Sequence, residues 1–420
     1  MDNANQLEKN LSLRAAIGLA ITMVIGSGLL VLPGLAYAQV GASAFYAWAI
    51  SAIAVGPILI IFATLGGKYP NAGGIAGFMQ TVFGRSGGIA TEILVFGAVP
   101  GGAAIAITGG QYFSAIFDGT ARSLLIGTLL VLLIGSVVNC LGARLSGLVQ
   151  QYLAFLLVAL LIFIAVISFS FHSGSSTIAP LQAWPSSIPA FGLVFFAFVG
   201  WEMMAFTSEE FKNPKRDFPL MIGISYAIVV VLYLLIAFAI QSVFPPDDPR
   251  LSQAPMAAML SQTLGPISAK AVAGIGYVLV LANFISVVWA FSRLTFSSAR
   301  EGLLPKMLAQ TTDAGNIPIR AILVVACAFG LFVLSYFQNL ISHNLLFELA
   351  GVSFFFSYLL AIIVYLKQAD SMLQKGIGGA SLCLTFGLFF SFGVKTLYPI
   401  ALFLAGWILS KNRLRPPFGS

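Results

Sequence analysis

Long apolar stretches alternate with short polar segments along this chain. Each stretch has about 20 residues or more, enough for an α-helix to cross the ~30 Å hydrocarbon core of a bilayer. A buried helix shows no polar face, so hydrophobic periodicity cannot locate it. The boundaries of each predicted span are therefore placed from the length of the apolar run and from the Gly, Pro and charged residues at its ends. Twelve spans are predicted, at residues 11–39, 44–66, 87–117, 121–141, 146–171, 188–209, 219–243, 267–299, 319–337, 344–366, 376–393 and 396–410.

The first and sixth spans contain residues that oppose a continuous helix. In the first span Gly26 and Gly28 flank Ser27, and glycine inside a helix costs about 0.5 to 1 kcal/mol relative to alanine. In the sixth span Gly200 and the ionisable Glu202 lie in the middle of the run. Unpaired backbone groups are tolerated in a bilayer only where protein buries them or a cavity exposes them. Both interruptions are therefore predicted to border a ligand site, although small residues for close helix packing are an alternative for the first.

The two interruptions begin two sets of five spans. The first set covers residues 11–171 and the second 188–366, which leaves two extra helices within 376–410. Because five is odd, the second set must insert in the opposite orientation. Inverted repeats with corresponding interrupted segments indicate a secondary transporter with its site near the membrane midplane. The whole chain, 1–420, is thus predicted to be one all-α transmembrane domain.

Composition and charge place the chain in a membrane and suggest its orientation. The chain is 59% hydrophobic and 8% charged, with a mean hydropathy of +0.97, whereas soluble domains contain about 25% charged residues. With a cytoplasmic N-terminus, seventeen of the 21 basic residues fall inside and only Arg122, Arg250, Lys270 and Lys395 fall outside, as the positive-inside rule requires. Both termini are therefore predicted to be cytoplasmic. The scattered basic residues predict no nucleic-acid partner, and three cysteines and two histidines predict no metal site, cofactor or histidine-based catalysis.

Five motifs resemble those of the amino acid–polyamine–organocation transporters. They are VIGSGLLVLPG at 24–34, YPNAGGIAGFMQTVFG at 69–84, FAFVGWE at 196–202, EEFKNPKRDFP at 209–219 and SAREGLLP at 298–305. Within that superfamily the chain is most similar to the bacterial exporters of methionine and branched-chain amino acids. The resemblance implies a LeuT-like fold of five plus five helices, with discontinuous helices 1 and 6, in the bacterial inner membrane.

The resemblance also implies which residues hold a substrate. The two broken helices would bind the backbone of an amino acid, with Phe198 covering it. Backbone N–H groups at the start of a half-helix suit the α-carboxylate, and carbonyl groups freed at the breaks suit the α-ammonium group. The implied substrate-binding residues are Ile25, Gly26, Ser27, Gly28, Phe196, Ala197, Phe198 and Gly200.

Coupling is expected to involve Glu202, as a proton carrier or a gate. The alternative is a structural acid that caps freed N–H groups of the second half-helix. Proton-coupled relatives often carry a lysine in the fifth helix, but residues 145–171 contain no charged residue. A sodium ion held with the help of Asn283 and Ser286 stays open, although small polar residues often bond their own backbone; a proton is the favoured partner. Glu92 and Glu348, early in spans three and ten, are either functional or ordinary interface residues.

The substrate is predicted to be a neutral, hydrophobic L-amino acid. Pro100 and Gly101, with Asn283 and Ser286, are the possible pocket walls, and Leu281 and Ile285 are expected beside them. A methylene group in an apolar pocket contributes roughly 0.8 kcal/mol, so methionine, leucine, isoleucine and valine should bind best. We therefore expect alternating-access export or exchange coupled to protons, with a sodium-coupled or cationic amino-acid transporter as the alternative. A channel or nutrient sensor, or an intramembrane enzyme, which would need a nucleophile beside a base, is a weaker alternative.

Overall fold

The computed structural model describes residues 7, 9–26, 28–117, 119–170, 178–252, 255–256, 259–260, 268–312, 316–390 and 392–413. These residues form α-helices joined by short 3₁₀ segments and turns, and no strand occurs among them. The α-helices, in chain order, are α1 (Leu13–Val24), α2 (Gly28–Val40), α3 (Ala44–Lys68), α4 (Ile75–Phe96), α5 (Pro100–Ile116), α6 (Ala121–Cys140), α7 (Ala143–Ser170), α8 (Ile188–Phe196), α9 (Pro214–Val243), α10 (Ser268–Arg300), α11 (Ile319–Phe337), α12 (His343–Lys367), α13 (Met372–Phe390) and α14 (Leu397–Arg413).

Ten helices among the described residues are long and apolar enough to cross a membrane. They correspond to ten of the predicted spans. The other two spans, the first and the sixth, are the interrupted ones, and their pieces are short: α1 has 12 residues and α8 has 9. The chain is thus an all-α membrane protein, and the total of twelve spans and the inverted repeat stay predictions.

The third predicted span differs from the expected continuous helix at 87–117. Helix α4 begins earlier, at Ile75, and kinks at Gly84, whose φ of 66° favours glycine. A second interruption separates α4 from α5, because Pro100 has no N–H group to donate to the Phe96 carbonyl. The Val99 N–H group donates to that carbonyl instead, at 3.1 Å, in the tighter 3₁₀ pattern.

Leu7, the first described residue, and the last turn of α14 both lie at the end of the bundle where α4 begins. Leu7 packs with Ala72, shortly before α4. Helix α14 runs antiparallel to α4, since Tyr398 at its start donates to the Gly97 carbonyl and Gly406, further along, lies against Ala90. We call this end of the bundle the terminal face and the opposite end the distal face.

The helices bury a core around α1 and expose apolar side chains on the perimeter. Helix α1 packs against α7, α9 and α10, while α5 packs against α6, α10 and α12. Trp48, Trp201 and Trp289 are fully buried in this core. On the perimeter, Phe155 of α7 and Leu373 of α13 are about three-quarters exposed, which suits a surface that contacts lipid.

Candidate functional site

A cavity of about 130 Å³ lies between the two interrupted helices. The first interruption separates α1, which ends at Val24, from α2, which begins at Gly28; the second separates α8 from a 3₁₀ helix at Trp201–Glu210. Helices α5, α9, α10 and α12 complete the wall. The lining residues are Met23, Val24, Gly26, Leu29, Ala98, Gly101, Gly102, Ile105, Ala197, Val199, Gly200, Glu202, Met203, Tyr233, Asn283, Val287, Phe291, Phe347, Ala350, Gly351 and Phe354.

The first interruption is a sharp turn in the backbone. The Ile25 N–H group still donates to the Ile21 carbonyl, at 2.8 Å, but the Gly26 N–H group donates to Val24, only two residues back, at 2.9 Å. The next turn closes loosely, with 3.3 Å from the Leu29 nitrogen to the Gly26 oxygen. Ser27, predicted to lie at the centre of this turn, is outside the described residues.

Side chains from two other helices already hold the carbonyl groups that border the breaks. The amide Nδ2 of Asn283 in α10 donates to the carbonyls of Thr22 and Met23, at 3.0 and 2.6 Å. The hydroxyl of Tyr233 in α9 lies 3.2 Å from the Val24 carbonyl and 2.9 Å from the Ala197 carbonyl. Since a hydroxyl has one hydrogen to donate, Tyr233 shares it between the two broken helices.

The second interruption depends on Gly200 and Glu202. Gly200 has φ = 124°, a conformation that residues with a Cβ rarely adopt. Oε2 of Glu202 accepts hydrogen bonds from the Gly200 N–H group, at 3.0 Å, and from the Tyr358 hydroxyl. Oε1 of Glu202 has no hydrogen-bond partner in the part of the chain that the structure describes, and Glu202 lines the cavity. The acid therefore both caps the break and presents a bare oxygen at the site.

A cluster of neutral polar side chains lies beside the cavity, where α1, α7 and α10 meet. Thr22 Oγ1 is 2.7 Å from Oε1 of Gln150 and 2.8 Å from Oγ of Ser286. Nε2 of Gln150 donates to the Ala282 carbonyl, at 3.2 Å. Gln150 lies in the fifth predicted span, which lacks the lysine of many proton-coupled relatives. The three helices are thus joined by uncharged groups that satisfy one another.

The structure brings only some of the predicted site residues to the cavity. Gly26, Gly101, Ala197, Gly200, Glu202 and Asn283 line it. Ile25, Pro100, Phe198 and Ser286 are buried but lie outside the set of lining residues. Gly28 begins α2 and Phe196 ends α8, so their backbones lie at the two breaks.

Phe198 lies outside the lining of this cavity, and its expected role in covering a substrate stays a prediction. Its ring packs against Trp48, with ring centroids 6.2 Å apart, and against Tyr233, at 5.0 Å. The 3₁₀-type turn after α8, in which the Phe198 N–H group donates to Phe195 at 3.0 Å, accompanies this placement in the core. Aromatic side chains from α10 and α12 reach the cavity instead.

Several lining residues were missed by sequence reasoning. In α10 the expected wall residues were Asn283, Ser286, Leu281 and Ile285. Of these four, Asn283 lines the cavity, and Val287 and Phe291 line it as well. These three residues are spaced by four, so they share one face of the helix. Asn283 could have identified the cavity-facing side of α10 from the sequence, because a buried polar side chain must find hydrogen-bond partners.

Comparisons with known proteins agree with this architecture. The family model for amino acid permeases matches residues 11–410. The amino acid permease YecA of Bacillus subtilis, itself uncharacterized, is 25% identical over 97% of each chain. The L-methionine/branched-chain amino acid exporter YjeH of Escherichia coli is 29% identical over 98% of this chain and 99% of its own. The putrescine transporter PotE of Haemophilus influenzae is 24% identical over 84% of this chain and 85% of its own.

Proposed function

The chain belongs to the amino acid permease family, and from that premise we propose that it is a secondary active transporter of neutral, mainly hydrophobic L-amino acids. Methionine, leucine, isoleucine and valine are the proposed substrates. The protein is a multi-pass membrane transporter and not an enzyme. The finer assignment is supported by one observation above all: a mostly apolar cavity lies where two interrupted helices meet.

The apolar part of the wall suits a hydrophobic side chain. Val287 and Phe291 of α10 and Phe347 and Phe354 of α12 line the cavity, and no basic residue is among its described lining residues. A cationic substrate side chain would lose its hydration there with Glu202 as its one charged partner among the described lining residues, and an anionic side chain would have no partner of opposite charge among them. A methionine or leucine side chain would gain roughly 0.8 kcal/mol for each methylene group that it buries.

The two breaks suit the charged ends of an amino acid. The start of α2, at Gly28 and Leu29, presents the positive end of a half-helix to an α-carboxylate. The α-ammonium group would compete with the Tyr233 hydroxyl for the carbonyls of Val24 and Ala197. Binding would then release Tyr233 and loosen the link between the broken helices, which is a way for the substrate to start the conformational change of alternating access.

Proton coupling is the favoured energy source, with export or exchange as the direction of transport. Glu202 offers an oxygen without a protein partner beside the cavity, and an ionisable group inside a membrane is a functional candidate by default. Export agrees with the Escherichia coli relative, which is named as an exporter. The terminal face is proposed to be the cytoplasmic side of a bacterial inner membrane, in agreement with the distribution of basic residues.

A cationic substrate is the second candidate, because the bare oxygen of Glu202 could pair with an ammonium group. One relative is named as a transporter of putrescine, which is a cation, and this similarity supports the second candidate. Counterflow in proteoliposomes separates the two: the purified protein, loaded with unlabelled methionine, should accumulate labelled methionine. Excess leucine should compete with the label, and excess arginine or putrescine should not. Competition by arginine equal to that by leucine would overturn the neutral-substrate assignment.

A further inference from the structure

A second buried acid, Glu92, lies outside the set of cavity-lining residues, in the last turn of α4. Glu92 is 3% exposed, and its Oε2 has no hydrogen-bond partner among the described residues. Ser298 of α10 faces this carboxyl group. The Ser298 side chain is fully buried, and its Oγ also lacks a partner within the described part of the chain. Glu92 and Ser298 are therefore within reach of each other, and neither side chain has another hydrogen-bond partner among the described residues, although buried polar groups ordinarily have one.

No described residue forms an ion pair with Glu92. The charged group that acts on it is Glu301, directly after α10, and its effect is repulsive. Arg85 donates to the Glu301 carbonyl, at 3.1 Å, and Gln80 lies 3.4 Å from the Glu301 carboxylate. Helix α14 covers the same stretch of α4 through the close approach of Gly406 to Ala90.

An ionised carboxylate in such a place is costly. The penalty for an unpaired charge taken out of water is several kcal/mol, and it is relieved by binding either a metal cation or a proton. A hard cation such as Ca²⁺ needs about six to eight oxygen ligands, whereas Glu92 and Ser298 together offer three. A proton needs one acceptor. The Ser298 hydroxyl suits both states, because it can accept from a protonated carboxyl group and donate to an ionised one.

We propose that Glu92 is a proton-binding site of the transport cycle, with Ser298 as the partner that serves both of its protonation states. The site is linked to the cavity through the chain itself: α4 ends four residues after Glu92, and Ala98 and Gly101, just beyond the interruption, line the cavity. A rearrangement of α4 against α10 would therefore change the surroundings of Glu92 and the shape of the cavity together. This inference rests on the proposed transport function but not on any role of Glu202.

The first test compares Glu92→Gln with wild type in proteoliposomes. Counterflow exchange of methionine without a pH gradient should stay within about twofold of wild type, because glutamine resembles the protonated acid. Accumulation driven by a pH gradient should fall by about tenfold, because the proton has lost its acceptor. Unchanged gradient-driven accumulation would overturn the proposal. Absence of counterflow in wild type would instead refute the proposed function.

Glu348→Gln is the matched control. Glu348 is another acid of a membrane helix, but it is partly exposed and paired with Lys395 at 2.7 Å. Exposed pairs contribute little to stability, so this variant should keep both counterflow and gradient-driven accumulation. If gradient-driven accumulation fell equally in Glu348→Gln and Glu92→Gln, the loss would follow from replacing any acid in a membrane helix. The assignment of Glu92 as the proton-binding site would then be wrong.

A second measurement does not depend on transport. Difference infrared spectroscopy of the purified wild type across a pH titration should show a carboxylic-acid band that is lost in Glu92→Gln and kept in Glu348→Gln. If Glu92→Gln does not fold, Ser298→Ala takes its place and should move the pH midpoint of that band. Survival of that same band in Glu92→Gln, or an unmoved pH midpoint of it in Ser298→Ala, would overturn the proposal.

Discussion

One tyrosine hydroxyl joins the two interrupted helices. Tyr233 lies in α9, yet its hydroxyl contacts Val24 at the end of α1 and Ala197 at the end of α8. The ring is held by T-shaped contacts with Trp48 and Phe198, at centroid distances of 5.2 and 5.0 Å. The hydroxyl thus occupies the place between two carbonyls where we propose that the α-ammonium group binds.

Replacing Tyr233 by phenylalanine should therefore destabilise the empty protein and strengthen its response to substrate. Leaving buried carbonyls unpaired costs about 1 to 3 kcal/mol each, so the melting temperature without substrate should fall. Because methionine no longer competes with the hydroxyl, the stabilisation that it gives should increase. Thermal-shift measurements with and without methionine test both effects.

Tyr226→Phe is the control for this experiment. Tyr226 lies two turns earlier in α9 and donates to the Ala52 carbonyl, and it does not line the cavity. Its loss should lower the melting temperature and leave the methionine-induced shift as in wild type. A smaller methionine-induced shift in Tyr233→Phe than in Tyr226→Phe would contradict the proposed competition.

Gly200 is the residue on which the second interruption depends most directly. Glycine adopts a φ of 124° without strain, whereas alanine does not. A Cβ at this position would also lie 3.4 Å from the Met23 carbonyl oxygen. Gly200→Ala should destabilise the fold by about 1 to 3 kcal/mol and weaken methionine binding. Gly223→Ala in α9, where a Cβ meets nothing within 4 Å, should be neutral. Equal stability of the two variants would show that the break tolerates a side chain.

At the scale of elements, the sequence predicted the interruptions of the first and sixth spans, missed those of the third span and predicted the faces of the helices poorly. Glycines and an acid in apolar runs are local signals, and the chain breaks at both. Which face of α10 meets the cavity depends on packing against several other helices. Hydrophobic periodicity does not identify that face when a helix is apolar on all sides. The partners of Tyr233 lie 209 and 36 residues away in the chain, so no local pattern shows them.

The contact of α1, α7 and α10 leads to a prediction about sodium. A sodium ion needs free oxygen ligands, but the carbonyls of Thr22 and Met23 accept hydrogen bonds from Asn283, and the Thr22 hydroxyl contacts Gln150 and Ser286. We expect methionine uptake and counterflow to be unchanged when choline replaces all external sodium. A rate that rises with sodium concentration and saturates would show that these groups rearrange around the ion.

Buried ion pairs close the bundle at the terminal face. Glu210 is 1% exposed and contacts Arg293, at 2.6 Å, and the indole nitrogen of Trp289, at 2.7 Å. The Glu210 backbone carbonyl also accepts a hydrogen bond from Leu11, ahead of α1, at 3.1 Å. These contacts tie the first broken helix, the end of the second and α10 together below the cavity. Opening the site towards the terminal face would require them to separate.

The orientation of the whole molecule in the membrane can be tested by labelling residues on its two faces. If the terminal face is cytoplasmic, the segment after α10 lies inside and the turn after α9 lies outside. Gln310 and Asp247 are exposed residues of these two segments. With the native Cys140, Cys327 and Cys383 replaced by serine, Gln310→Cys should react with a membrane-impermeant maleimide only in inside-out vesicles, and Asp247→Cys only in intact spheroplasts. The expectation follows from the excess of basic residues in the loops of the terminal face, since such loops are retained on the cytoplasmic side during insertion. The reverse labelling pattern would invert the proposed orientation of the protein in the membrane.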